Sequence, residues 1–200
     1  MSDAMLTTKR LYLRQWVADD FSIFAEMSDN SEVMRYFPKV LSSQESKQMA
    51  QKCQQFIEDK GWGFWAVSLK ENNNFIGFVG LHEPDTDLPF SPCIEIGWRL
   101  HPNYWGKGYA TEAAREALRF AFETLNVNEV VSFTAAINQP SRLVMERLGL
   151  INTQSNFNHP ALPESIPPHP LAQHVLYKIT HKEWQCNQKF RQANVNNKVK

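Results

Sequence analysis

An α/β domain, with strands and helices interleaved about one sheet, is the fold class this sequence predicts. Three observations predict it. The chain of 200 residues has the length of one domain, and its 42% hydrophobic and 12% aromatic content can fill a packed core. Short runs of strand type alternate along it with longer runs of helical period. Between Cys93 and Leu125 an apolar run, a small-residue turn and a helical run follow directly on one another.

The elements read in order as follows. Arg10 to Arg14 alternates around Leu11 and Leu13 and predicts a first strand. Asp19-Asp20 then opens a helix to about Met27, with acidic residues at its positive end. Ser42 or Ser43 can cap a second helix with Glu45 in its first turn, running to about Asp59 and stopped by Gly61. Phe64–Leu69 and Phe75–Leu81 predict two strands joined by a turn at Glu71-Asn72-Asn73-Asn74. His82 to Pro92 carries three prolines and reads as a loop, and Cys93–Leu100 as the next strand. A helix from Tyr109 to Leu125 and a strand Glu129–Ala135 follow. Asn138-Gln139-Pro140 opens a short helix that Gly149 ends. The stretch from Asn156 to Gln173 is rich in Pro, Asn and His and reads as a long loop, and His174–Ile179 as a last strand. The tail from Trp184 to Lys200 is polar and aperiodic and is expected to fray.

Bulk properties remove several functions. Formal net charge is zero, which gives no electrostatic drive toward nucleic acid. No run is long and apolar enough for a membrane span, and the start lacks a signal-peptide apolar region. The three cysteines have no metal-type pairing and fit a reducing compartment, so a cytoplasmic location is expected, as a monomer or homodimer.

The most informative segment is Tyr104-Trp105-Gly106-Lys107-Gly108-Tyr109-Ala110-Thr111-Glu112-Ala113. A small-residue turn entering a helix aims several unpaired backbone N–H groups at one spot, at the positive end of the helix dipole, and so makes an anion site. The nucleoside-triphosphate loop G-x-x-x-x-G-K-[ST] is not present, and the dinucleotide fingerprint fails because Thr111 stands at its third glycine. The string Trp105 to Ala110 does fit x-x-x-G-x-[GA]. It resembles the pyrophosphate loop of the GCN5-related N-acetyltransferases, the GNAT superfamily. The longer string W-G-K-G-Y-A-T-E-A is similar to the branch holding the ribosomal-protein N-terminal acetyltransferases (RimJ/RimL-like). Trp105 departs from the Gln or Arg usual at the first position.

This resemblance covers roughly residues 8 to 184. It implies a GNAT domain over 1–184 with a polar tail at 185–200, and a mixed sheet flanked by helices that splays beside the cofactor strand. It implies acetyl-CoA as co-substrate and a primary amine as acceptor, either a protein N-terminus or a small molecule. Trp105, Gly106, Lys107, Gly108, Tyr109, Ala110 and Thr111 would then form the pyrophosphate cradle. Trp98 or Leu100 would present backbone to the pantetheine arm and the acetyl oxygen, and Asn138 and Ser141 would contact the same arm.

Four needs define the chemistry of acetyl transfer: a held cofactor, an amine freed of its proton, a donor for the oxyanion and a thiolate able to leave. Glu95 is the candidate base, since a Glu between two isoleucines in a strand is unusual. It reads equally well as a solvated residue paired with Arg99. Family members often carry a Tyr as acid where Met145 stands here, and Met cannot donate a proton. Ser141, one turn earlier, can hydrogen-bond the thiolate, or simply satisfy its own helix end. Tyr36, Phe37, Trp62, Trp65 and His159 are candidates for the acceptor pocket, although the tryptophans also read as core. The histidines lack metal-ligand spacing, so no metal is expected. Two alternatives stay open: a non-catalytic CoA-binding regulatory module, and an acyltransferase using another donor such as succinyl-CoA, for which Arg99 would be the recognising cation.

Overall fold

The computed structural model describes residues 4–160, 162 and 169–196. Its elements run β1 (Ala4–Thr7), β2 (Leu11–Arg14), α1 (Ala18–Asp29), α2 (Ser43–Lys60), β3 (Phe64–Leu69), β4 (Phe75–His82), β5 (Glu95–Leu100), α3 (Tyr109–Glu123), β6 (Glu129–Ala135), α4 (Gln139–Leu148), β7 (Ile151–Asn152), β8 (Phe157–Asn158), β9 (Gln173–Thr180) and α5 (His181–Asn196). They build a nine-stranded sheet in the order β1-β2-β3-β4-β5-β6-β9-β7, with β8 also on β9. Every pairing is antiparallel except β5 with β6. That parallel pair holds register only at Glu95↔Val131. Beyond it the two halves of the sheet part, and this opening is what positions the site.

The helices cover both faces. Trp65 on β3 is fully buried and meets Phe120 of α3 edge-on at 5.4 Å. Phe78 on β4 points the other way and packs on Phe24 of α1 at 5.9 Å. The buried face of α3 is built largely of Ala113, Ala114, Ala117 and Ala121, whose small side chains let the helix lie close on the sheet. Ser42 and Glu45 form a reciprocal capping box at the start of α2, and Gly61 ends it with φ of 77°.

Several expectations shift. The strand β1 lies ahead of the predicted first strand and pairs with β2. The aperiodic tail is helical through Asn196. Its start is a capping box: the Thr180 hydroxyl accepts from the Glu183 amide (3.3 Å), while Glu183 accepts from the Thr180 amide (2.8 Å). Trp184 then anchors the helix, buried at 5.3 Å from the Phe122 ring. Inside the expected 156–173 loop, β8 pairs with β9, and residues 161 and 163–168 lie outside the described set.

Candidate active site

The turn between β5 and α3 has the shape its sequence predicts. Gly106 (φ 72°) and Gly108 (φ 80°) are in the left-handed region, which a side chain with a Cβ adopts only under strain. Gly108 is also the N-cap of α3 and offers no side chain to the helix end. The first helical bond runs from the Glu112 amide to the Gly108 carbonyl, 3.0 Å. No hydrogen bond is shown for the amides of residues 106 to 111, so they are available to an anion at the helix terminus.

Arg10 braces this turn from below, a role that sequence reading missed. Its Nη2 donates to the Lys107 carbonyl (3.0 Å), its Nε pairs with Glu112 (2.7 Å), and its guanidinium lies 4.3 Å from the Tyr109 ring centroid. Thr8 adds a 2.6 Å bond to the same carboxylate. Burial would raise the Glu112 carboxyl, but the bonds from Thr8 and from the Arg10 amide and guanidinium outweigh it and hold the group below its ordinary value. The Lys107 ammonium rests over the Tyr104 ring at 5.5 Å. Trp105 is 42% exposed, and its indole N–H donates to the Leu100 carbonyl at 2.7 Å.

The open edge of β5 supplies the next groups. The His101 amide bonds the Ile76 carbonyl on the β4 side, so the backbone groups of Glu95, Gly97 and Arg99 also face β4. Alternation turns those of Ile94, Ile96, Trp98 and Leu100 toward β6. Ile94 and Ile96 are used there: their carbonyls accept from the Val131 amide (2.9 Å) and the Ser132 hydroxyl (2.9 Å). Past Ile96 the strands separate, which leaves the Trp98 and Leu100 N–H groups facing the gap. The Leu100 carbonyl is taken by Trp105.

Glu95 stands at the mouth of this gap. Burial pushes its carboxyl up to about 8, and among the described residues it makes no hydrogen bond or ion pair. One carboxylate oxygen leans over Gly97, 3.6 Å from where a Cβ would stand, and the Phe64 ring lies at 3.1 Å from that same point. A methyl there would crowd both. The alternative pairing of Glu95 with Arg99 is not formed: Arg99 is buried among Phe24, Phe37 and Phe78. Cys93 is no rival nucleophile, because burial and the neighbouring Glu95 and Glu129 push its thiol up to about 11.

Across the gap, Asn138 caps α4 by accepting from the Ser141 amide (3.3 Å) while its amide group donates to Thr134 (2.8 Å). The half-buried Ser141 hydroxyl makes no hydrogen bond among the described residues, whereas Met145 is core.

The predicted acceptor residues divide. Tyr36 and Phe37 line a cavity of about 450 Å³ together with Arg35, Pro38, Ile137 and residues 169–171. Trp62 and Trp65 are not among its lining residues: Trp62 is buried edge-on to Phe56 (5.2 Å) and Trp65 is buried against α3. His159 lies 4.8 Å from His174, rings tilted, in an aromatic cluster with Phe133 and Phe157, and is not among those lining residues. Among the described residues no group of His, Cys, Asp and Glu is arranged to hold a metal ion.

Known proteins share this arrangement. Residues 10–151 match the acetyltransferase (GNAT) domain family. FsC-acetyl coenzyme A-N(2)-transacetylase of Aspergillus fumigatus is 41% identical over 133 residues, 64% of this chain and 54% of that protein. The likeness thus spans little more than half of the fungal enzyme's length. Uncharacterized N-acetyltransferase YnaD of Bacillus subtilis is 30% identical over 146 residues, 72% of this chain and 81% of that protein. The crystal structure of a GNAT-family acetyltransferase from Bacillus anthracis superposes with a TM-score of 0.72 at 26% identity, covering 88% of this chain and 98% of that one.

Proposed function

The chain belongs to the GNAT acetyltransferase family, and from that premise we propose that it transfers an acetyl group directly from acetyl-CoA to a primary amine, with Glu95 as general base. The observation that carries the assignment of Glu95 is its environment. It is an unpaired carboxyl, pushed up to about 8, at the mouth of the gap between β5 and β6. A base tuned close to neutral pH can accept an ammonium proton and return it to solvent.

The residues divide the work. The amides of 106–111 hold the pyrophosphate at the N-terminus of α3. The β5 edge at Trp98 and Leu100 receives the pantetheine arm as an added strand would be received, and one of its two free N–H groups stabilises the carbonyl oxygen as charge develops there. Glu95 takes the proton from the attacking nitrogen, directly or through water. Its lone pair then forms the new C–N bond while the carbon–sulfur bond breaks. The Ser141 hydroxyl hydrogen-bonds the departing thiolate, which needs little help because a thiol of pKa ~8.5 is a fair leaving group. No covalent enzyme intermediate is required, and the raised Cys93 thiol offers none.

The acceptor is a primary amine on a small molecule or a protein N-terminus. A reducing, cytoplasmic setting suits the three free cysteines. Among the described residues no helix is long and apolar enough to cross a membrane. The test is thiol release from acetyl-CoA with a panel of primary amines and short peptides beginning with Ser or Ala, with the acetylated product identified by mass. Release that depends on the amine is expected. Coenzyme A binding without release for any amine would leave a regulatory module instead.

A further inference from the structure

Arg99 is a charged group the transfer mechanism does not use. It sits on β5 beside the gap, on the face shared with Glu95 and Gly97, and is 7% exposed. A guanidinium buried to that degree is ordinarily paired with a carboxylate, because an unpaired charge is costly to desolvate. Among the described residues Arg99 makes no ion pair. Its Nη1 has only two long contacts, to the Ser28 hydroxyl (3.4 Å) and the Met49 sulfur (3.9 Å). Among the described residues its Nε is buried with no partner and its Nη2 makes no hydrogen bond.

The pattern of used and unused edges carries information. Phe37 lies over the guanidinium at 4.2 Å, with Phe78 at 5.5 Å and Phe24 at 5.7 Å. Aromatic faces attract the cation but do not satisfy in-plane N–H groups. The edge left without partners, Nε with Nη2, is the one that meets a carboxylate through two parallel hydrogen bonds. Phe37 itself is 38% exposed and also lines the cavity between residues 35–38 and 169–171. Among the described residues, the lining of that cavity carries a cation of its own, Arg35, and no Asp or Glu. Its charge suits an anionic acceptor and opposes a polyamine.

We propose that Arg99 is the recognition site for a carboxylate carried by the amine acceptor, approached from this cavity past Phe37. The proposal rests on the N-acetyltransferase reading above and specifies its substrate class. The same carboxylate chemistry could arrive on the acyl group of a dicarboxylic acyl-CoA, so the experiment has an arm for each source. In the first arm acetyl-CoA is used with matched amines, β-alanine against propylamine and lysine against cadaverine. In the second, succinyl-CoA is compared with acetyl-CoA on propylamine.

The expected result is kcat/KM higher for the carboxylate-bearing amines by roughly ten- to a hundred-fold. In Arg99→Met that ratio should fall toward one, and in Arg99→Lys it should be partly kept. Because each ratio is taken within one protein, a general loss of activity cancels. Equal kcat/KM for both members of each wild-type pair overturns the proposal whether or not a variant folds. A preference for succinyl-CoA with no preference among amines overturns it too, by moving the carboxylate to the donor. Absence of thiol release with every amine would be a different failure, that of the acetyltransferase reading itself.

Discussion

Replacing Glu95 with Gln removes the proposed base while keeping the side chain's size, and the consequence can be worked out for both rate and stability. With its carboxyl at about 8, Glu95 is ionised in roughly a tenth of molecules at pH 7 and nine tenths at pH 9. The amine substrate also loses protons over that range, so the informative quantity is the ratio of wild-type to Glu95→Gln kcat/KM. That ratio should rise roughly tenfold from pH 7 to pH 9 and reach about 10² at the plateau. Stability moves in the opposite direction. The folded carboxyl sits above its ordinary 4.5, so the native state holds the proton more tightly than the unfolded chain. Stability is therefore full below the unfolded value, falls progressively above it and is exhausted as pH passes about 8, so only about 1.4 kcal/mol of it is lost between pH 7 and pH 9. The shift corresponds to ~3–4 kcal/mol once partial exposure is allowed for. Glu95→Gln should abolish this loss and be the more stable protein at pH 9. Thiol-release kinetics and denaturant melts at each pH provide both readings. A rate ratio that stays flat from pH 7 to pH 9 would remove Glu95 from the mechanism. A wild-type stability that does not fall over the same range would show that its environment has been misjudged.

Other perturbations test the frame around it. Gly108→Val places a β-branched side chain at φ 80° in the turn, and should weaken coenzyme A binding by calorimetry at least tenfold, with ~1–3 kcal/mol of backbone strain. Arg10→Ala removes the brace on the Lys107 carbonyl and Glu112, and should raise the Kd for coenzyme A several-fold while kcat at saturation changes little. Trp65→Ala should cost ~3–5 kcal/mol in a urea melt, since the side chain is fully buried against α3. If it instead altered only the KM for the amine, Trp65 would line the acceptor pocket after all.

The parts of the fold that could be read from the sequence were those with local causes. The Ser42–Glu45 box, the terminating Gly61 and the alanine-rich face of α3 each act within a few residues, and their elements appear where expected. The turn at Gly106–Gly108 belongs with them, because two left-handed glycines and a helix start lie within one short string. α5 had such a signal too, in Thr180 and Glu183, but its weak amphipathicity hid the helix that follows. What could not be read depends on distant chain. Arg10 meets Glu112 only because β2 and the start of α3 converge in space. Trp62 and Trp65 look alike in sequence to pocket aromatics, and only the packing of Trp62 on Phe56 of α2 and of Trp65 on Phe120 of α3 buries them. The isolation of Arg99 from any carboxylate is likewise a tertiary property, since Glu95 lies on the same face of the same strand and still does not reach it.

The turn at 106–111 and the free edge of β5 are proposed together to hold coenzyme A. Amide chemical shifts recorded during a titration with coenzyme A test it most directly. Shifts are expected in the amides of Gly106 through Thr111 and in those of Trp98 and Leu100, with α2 around Gln51 unchanged. Saturable binding that leaves those amides unmoved, or that moves another surface, would contradict it.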